Sequence, residues 1–184
     1  MDPIQYLLDE HRAILTGIGG LRAAADDLAL RGEAALPAAL PVLRGAGALM
    51  ETQLEQHARK EEATLFQALE AIFGADGTPT VVMRREHQDL HAQGEALRQT
   101  LRELNEVEHP AIEAGGAQLR SLAARGGSAV GLAGTAMDIL RLLEQHFAKE
   151  EQVLFPMAAN LLDEAQLAEV GAAIERLDSS GAPM

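Results

Sequence analysis

Hydrophobic residues recur along most of the chain at the three- and four-residue spacing of amphipathic helices. Asp2 and Pro3 suit the N-cap and the first position of a helix, so we predict that a first helix begins there and ends at Arg31–Gly32. The apolar positions of this helix are Ile4, Leu7, Leu8, Ile14, Leu15, Ile18, Leu21 and Leu28. Similar patterns predict three further long helices, over about 37–73, 79–106 and 128–161.

The connections are marked by glycine and proline. The sequence GADGTPT at 74–80 separates the second and third helices, whereas 107–127 is interrupted by His109–Pro110 and two Gly–Gly pairs around a short helical pattern, AQLRSLAAR. Asp163 suits the N-cap of a final short helix that reaches about Leu177. We predict an all-α fold, an antiparallel up-down four-helix bundle with a short additional C-terminal helix, as one domain over 1–178 with a flexible tail at 179–184.

Composition removes several classes of function. The 184 residues include no cysteine, which excludes disulfides, thiolate metal sites and thiol nucleophiles. The net charge of −13 argues against a nucleic-acid partner, because phosphate binding needs clustered Lys and Arg. No apolar run is long enough to span a membrane, and no signal peptide is visible. We therefore expect a cytoplasmic protein without a membrane partner, either a monomer or a homodimer.

The most informative pattern is an internal repeat. Residues 54–66 read LEQHARKEEATLF and residues 143–155 read LEQHFAKEEQVLF. A weaker echo links DEHRAIL from Asp9 with REHQDLH from Arg85. The chain thus resembles two copies of one helical hairpin, each with a His on its first helix and His-x-x-x-Glu on its second.

Helical geometry places the repeated His and Glu on one inward stripe. Residues four apart share a helix face, so Leu54, His57, Glu61 and Leu65 align, and the second copy aligns Leu143, His146, Glu150 and Leu154 in the same way. The apolar neighbours point this stripe towards the core. A buried, ionised Glu lowers the stability of the fold by several kcal/mol unless it is paired, protonated or bound to a cation.

Depth along the helices supports a shared layer. His11 and His87 lie about eight residues into the first and third helices, and His57 and His146 lie about fifteen residues before the ends of theirs. Four His and two Glu would then converge in the core of an antiparallel bundle. Imidazole with carboxylate favours Fe, Mn or Zn. Six ligands exceed one tetrahedral site, so two metals are predicted, with Glu61 and Glu150 able to bridge them.

Several neighbouring residues stay open to more than one interpretation. His91 follows His87 by four residues and is a seventh metal-ligand candidate, although it could also contact a ligand without touching the metal, or be a buried polar residue. His109 is expected in solvent, and Tyr6 is expected to pack rather than to act at the site. The Glu residues adjacent to the ligands are expected at the surface or as acceptors of a ligand imidazole proton: Glu10, Glu62, Glu86 and Glu151.

These residues resemble the hemerythrin-like HHE cation-binding domain family over about residues 5–160. The resemblance rests on His11, His57-x-x-x-Glu61, His87 and His146-x-x-x-Glu150 in that order. It implies an up-down four-helix bundle with an oxo- or hydroxo-bridged pair of iron ions, four terminal His ligands and two bridging Glu. His87-x-x-x-His91 is similar to the third-helix pair of oxygen-carrying hemerythrins, whereas the closing His-x-x-x-Glu resembles the bacterial and regulatory branch.

Three functions follow as hypotheses. The first is a non-heme di-iron protein that binds or reacts with O2, NO or peroxide, with Mn or Zn as possible substitutes for iron. The second is iron storage or delivery, or repair of iron centres under oxidative or nitrosative stress. The third is an interaction module without metal, in which His–Glu pairs are structural. Whether the protein is an enzyme is left open by the sequence.

Overall fold

The computed structural model describes residues 1–74, 78–114 and 129–180, with the backbone alone for 103–114. Over these residues the regular secondary structure is helical throughout, as predicted. The α-helices are α1 (Pro3–Gly17), α2 (Leu21–Arg31), α3 (Leu36–Leu49), α4 (Glu55–Ala63), α5 (Leu65–Phe73), α6 (Pro79–Ala114), α7 (Ala129–Lys149), α8 (Phe155–Leu161) and α9 (Glu164–Ser180). A 3₁₀ turn covers Gly32–Ala35, and π-helical turns cover Met50–Leu54 and Glu150–Leu154.

Both predicted N-caps are confirmed. The Asp2 carboxylate accepts hydrogen bonds from the backbone N–H groups of Ile4 and Gln5, at 3.0 and 3.2 Å. At the start of α9, Asp163 Oδ1 accepts from the Gln166 N–H at 2.8 Å, and Gln166 Oε1 accepts from the Asp163 N–H at 2.9 Å. This reciprocal pair satisfies backbone donors that the helix itself leaves unpaired.

The long predicted helices are more segmented than periodicity indicates. The first is interrupted between Gly17 and Leu21, where the Gly19 and Leu21 N–H groups bond three residues back instead of four. Three glycines lie in this short stretch, and glycine is the poorest helix former after proline. The second is divided into α3, a π turn, α4 and α5. The sequence does not predict this division, because a one-residue irregularity in hydrogen bonding leaves the apolar periodicity intact.

Some predicted boundaries move and others lie outside the described residues. Helix α6 continues to Ala114, past the predicted end near Glu106, and α9 continues to Ser180 instead of ending at about Leu177. The residues added to α6 include Glu108, Ala111, Glu113 and Ala114, which favour helix. The predicted helix AQLRSLAAR, the side chain of His109 and the last four residues of the predicted tail lie outside the described part.

The chain divides into two compact units. The first comprises Met1–Leu15, Thr52–Asp89 and Glu144–Met184, and the second comprises Thr16–Glu51 and Leu90–Leu143. The core of the first unit consists of Leu7, Leu65, Phe66, Leu69, Met83, Leu154, Phe155, Ala158, Leu162, Val170 and Ile174. In the second unit α2 packs against α3, and its buried side chains include Leu28 and Leu43. The antiparallel four-helix order and the single domain over 1–178 stay predictions.

None of the helices in the described ranges is both long enough and apolar enough to cross a membrane.

Candidate metal centre

The six residues of the predicted ligand set lie together in the first unit. His11 lies on α1, His57 and Glu61 on α4, His87 on α6 and His146 on α7, and Glu150 begins the second π turn. Five of the six are 0% exposed and His87 is 7% exposed. The apolar stripe identified in the sequence therefore does point inward.

These side chains form two groups of four that share both glutamates. His11 and His57 join Glu61 and Glu150 in one group, and His87 and His146 join the same glutamates in the other. Within each group, one ligand atom from every residue lies within 4.8 Å of the others. Each group could hold one cation, and each carboxylate has two oxygens to offer to the pair.

Each of the four imidazoles is held by a carboxylate at Nδ1. The Nδ1–oxygen distances are 2.9 Å from His11 to Glu151 and 3.0 Å from His57 to Glu10. They are 2.7 Å from His87 to Glu62 and 3.2 Å from His146 to Glu86. A hydrogen on Nδ1 leaves the lone pair of a neutral ring on Nε2, which faces the cluster. This carboxylate–histidine arrangement is the one that orients imidazole for a metal ion.

The Nε2 atoms confirm the inward orientation. Glu150 oxygens lie 3.3 Å from His11 Nε2 and 3.2 Å from His146 Nε2. Glu61 Oε2 lies 3.6 Å from His57 Nε2 and 3.5 Å from His87 Nε2. Every imidazole thus presents its second nitrogen to one or both of the shared carboxylates.

The polar atoms at the centre test whether a cation fits. Six buried side-chain atoms of the described residues make no hydrogen bond: both oxygens of Glu61, both oxygens of Glu150, and Nε2 of His87 and of His146. All six belong to this one cluster. A buried polar group left unpaired costs about 1–3 kcal/mol, and a buried charge costs more. Lone pairs directed at a common point are what a divalent cation satisfies, so this donor set fits a metal pair.

Burial also shifts the protonation of these groups. It raises the pKa of Glu61, and with the neighbouring Glu61 charge it raises the pKa of Glu150 to about 7. Burial and the nearby His87 lower the pKa of His146 to about 2, so that ring stays neutral. For His87 burial acts downward, but the Glu61 carboxylate 3.5 Å from Nε2 and the Glu62 carboxylate bonded at Nδ1 outweigh it and raise the pKa to about 9. Protons and metal ions therefore compete for the same atoms.

Aromatic rings enclose the cluster. Phe147 stacks on His11 with ring centroids 3.8 Å apart, and Phe155 lies 5.4 Å from the same imidazole. On the other side Phe66 is parallel to His87 at 5.8 Å. Phe66 and Phe155 are matching positions of the internal repeat. These rings exclude water and strengthen electrostatic interactions among the polar groups.

The helical backbone is irregular directly after each shared glutamate. Glu150 is the first residue of a π turn, and its carbonyl accepts from the N–H of Phe155, five residues on. After Glu61, the Thr64 N–H bonds back to the Glu61 carbonyl at 3.3 Å and separates α4 from α5. Single π turns recur at functional sites in helices, where they reposition one side chain. Both copies of the repeat thus depart from regular helix at the same carboxylate.

Of the remaining predicted residues, His91 is not brought to this cluster. Its side chain is exposed on α6, in the second unit. A four-residue step rotates a residue by about 40° around the helix, which is sufficient to move a side chain off a narrow inward stripe. Ligation by His91 stays a prediction, and His109 lies among the side chains that are not described.

Charged residues outside the ligand set complete the site. Lys60 contacts Glu10, Lys149 contacts Glu86, and Arg84 Nη1 lies 3.0 Å from Glu62 Oε2. Sequence reasoning did not assign these cations, although Lys60 and Lys149 are identical positions of the repeat and could have been found there. Their contacts fix the carboxylates that in turn hold the imidazoles.

Comparison with known proteins agrees with this geometry. The model of the hemerythrin HHE cation binding domain matches the chain twice, over residues 2–123 and 103–179. No curated protein and no solved structure matched the chain. The two matches together cover nearly the whole sequence, including all six clustered His and Glu residues. The chain therefore belongs to the hemerythrin HHE cation-binding domain family.

Proposed function

We propose that this protein is a non-heme di-iron protein that binds or reacts with a small ligand: O2, NO or peroxide. The observation that carries the proposal is the pair of His2Glu2 groups that share Glu61 and Glu150. Because the two groups share their carboxylates, they suit two adjacent cations better than two cations at separate sites. Mixed imidazole and carboxylate donors suit iron, with Mn or Zn as substitutes.

The residues divide naturally between the two ions. His11 and His57 would hold one ion, His87 and His146 the other, and Glu61 and Glu150 would contact both. Each ion would then be held by four protein groups, two His and the two shared Glu, and an iron ion would keep an open position for an exogenous molecule. When bound, an iron pair supplies redox chemistry and a Lewis-acidic site for that molecule.

The chain's own residues determine which molecules can reach the centre. The ligand side chains are almost entirely buried, and Phe66, Phe147 and Phe155 lie against the imidazoles. An enclosure of this kind suits a molecule of two to four atoms and disfavours a larger substrate. Of the six ligand side chains, His87 alone has any exposed surface, and its Nδ1 donates a hydrogen bond to the partly exposed Glu62.

Iron storage or delivery is less well supported by these contacts. Delivery requires ions that leave readily, whereas four imidazoles here are locked at Nδ1 by carboxylates and five of six ligands have no exposure. Such a centre favours retention. The storage hypothesis predicts rapid transfer of iron to an apo-acceptor protein, which separates it from the proposal.

The proposal is tested by metal analysis and spectroscopy of protein purified without a His tag. We expect about two irons per chain, and a change in the electronic spectrum of the ferrous protein when O2, NO or peroxide is added. A reversible change indicates binding, and catalytic loss of the ligand indicates an enzyme. Full occupancy by zinc, or iron that gives no spectral response to all three ligands, would overturn the proposal.

A further inference from the structure

Asp178, near the end of α9, lies against two residues from distant parts of the chain. The Tyr6 hydroxyl donates a hydrogen bond to Asp178 Oδ2 at 2.6 Å, and Lys60 Nζ lies 2.8 Å from Asp178 Oδ1. Lys60 Nζ also lies 3.4 Å from the Tyr6 oxygen and 5.0 Å from its ring centroid. All three residues belong to the first compact unit.

The contacts continue from Lys60 to the metal centre. Lys60 Nζ contacts Oε1 of Glu10, and the other oxygen of Glu10 accepts from Nδ1 of His57 at 3.0 Å. Nε2 of His57 then faces the ligand cluster. An unbroken series of polar contacts therefore connects α9, through Lys60 and Glu10, to one candidate metal ligand.

The series contains a buried positive charge, at Lys60. Lys60 is 5% exposed although it carries a positive charge. Its Nζ contacts a carboxylate oxygen of Glu10 and one of Asp178. A buried ammonium between two carboxylates needs both of them. Removal of Asp178 would leave Lys60 with one carboxylate and free it to move.

The second copy of the repeat lacks this arrangement. Lys149 matches Lys60 and contacts Glu86, but its side chain is 47% exposed. Val82 occupies the position that matches Tyr6, and it too is largely exposed. The two hairpins therefore supply similar ligands but different surroundings, and only the His57 side is tied to α9 among the described residues.

We propose that Asp178, with Tyr6 and Lys60, is a positioning group that fixes Glu10 on His57 and thereby makes the metal ion held by His11 and His57 the more tightly retained of the two. The inference rests on the proposed metal pair. Asp178 does not touch the ligands; it acts through Lys60 and Glu10. Carboxylates that hold a ligand imidazole directly, as Glu10 does, change metal affinity by about 10–100-fold when they are altered, so a group that acts through Glu10 should lie at the lower end of this range.

A purely structural role for Asp178 gives a different expectation. Glu175 lies on the same helix and pairs with the N-terminal amine of Met1 at 3.7 Å, and within the described part of the chain no hydrogen bond or ion pair joins it to Tyr6, Lys60 or Glu10. If Asp178 only anchors α9, then Asp178→Asn and Glu175→Gln should affect metal retention alike. If it positions Glu10, only Asp178→Asn should do so.

The experiment measures release of ferrous iron from the full-length protein to a chromogenic chelator under anaerobic conditions. For Asp178→Asn we expect one of the two ions to leave about tenfold faster than from wild type, and Glu175→Gln to resemble wild type. In a Lys60→Met background, Asp178→Asn should add no further acceleration, because the series is already broken. Tyr6→Phe, which removes one hydroxyl, should accelerate the same ion by a smaller factor.

The outcomes are separable from those of the proposed function. Wild type that binds two irons, with Asp178→Asn indistinguishable from it or from Glu175→Gln, overturns this inference and leaves the di-iron proposal standing. Wild type that binds no metal overturns both. If circular dichroism shows that Asp178→Asn is unfolded, Tyr6→Phe decides: unchanged release from that variant overturns the inference.

Discussion

His11 and His57 face each other through their Nε2 atoms, which lie 3.0 Å apart although the residues are separated by 46 positions. Nδ1 of each ring is bonded to a carboxylate, Glu151 for His11 and Glu10 for His57. Two neutral rings that donate through Nδ1 have no hydrogen left on Nε2. Their lone pairs then converge, which is unfavourable unless a proton or a metal cation lies between them.

The shared glutamates should lower the stability of the metal-free protein. Their oxygens are buried and make no hydrogen bond. We expect Glu61→Gln or Glu150→Gln to raise the unfolding free energy of the metal-free protein by about 1–3 kcal/mol, because a buried carboxylate is replaced by a neutral isostere. The same changes should abolish stabilisation by added metal. Thermal unfolding with and without metal measures both effects.

Glu55→Gln is the matched control, since Glu55 is an exposed residue on α4. It should alter neither the metal-free stability nor the metal-induced shift in Tm. Metal-free Glu61→Gln that unfolds more readily than wild type would contradict the assignment of that carboxylate as an unsatisfied buried group.

Metal-free stability should depend on pH through Glu150. The pKa of Glu150 in the folded protein is about 7, above the ordinary 4.5, so folding favours the protonated carboxyl. The contribution of Glu150 to the free energy of unfolding is therefore fully present below pH 4.5 and is lost as the pH rises through 7. The metal-free wild type should therefore lose about 3 kcal/mol relative to Glu150→Gln between pH 4.5 and 8, at 1.36 kcal/mol per pKa unit. Denaturant unfolding across this range measures the difference. A constant difference would contradict the raised pKa.

The outer carboxylates should matter less than the shared ones. Glu62 accepts from His87 Nδ1 at 2.7 Å, and this bond, with Arg84 adding to it, lowers the pKa of Glu62. We expect Glu62→Gln to weaken metal binding about 10–100-fold without abolishing it. Metal titration monitored by calorimetry gives the affinity. Glu51→Gln, on an exposed residue of the second unit, is the control, and equal losses from both variants would contradict the role of Glu62.

His91 offers a direct test of a prediction that the structure leaves open. Because its side chain is exposed, we expect His91→Ala to keep two metal ions per chain. His87→Ala, four residues earlier on the same helix, should lose at least one ion, since His87 is buried among the ligands. Metal analysis of the purified variants distinguishes the two. Loss of metal from His91→Ala would establish a seventh ligand.

Much of the candidate site could be predicted from the sequence because its information is local. The spacing of His57 and Glu61, repeated at His146 and Glu150, defines a helix face regardless of tertiary context. The caps at Asp2 and Asp163 are equally local, since each depends on a side chain and backbone groups within three residues.

The remainder depends on contacts that periodicity does not encode. Asp178 meets Tyr6 across 172 positions, and nothing in the spacing of either residue indicates the other. The irregular turns after Glu61 and Glu150 also escaped prediction, because a single three-residue bond after Glu61 or five-residue bond after Glu150 leaves the apolar pattern nearly intact. Helical spacing also does not predict burial: His91 shares a helix face with the buried His87, yet its side chain is exposed.

In the proposed centre, six side chains from distant segments would hold two neighbouring cations. Anomalous diffraction from crystals of the iron-loaded protein tests it most directly. We predict two iron peaks within about 4 Å of each other, one beside His11 and His57, one beside His87 and His146, with Glu61 and Glu150 contacting both. A single peak, two peaks that share neither glutamate, or no peak at these residues would contradict the account.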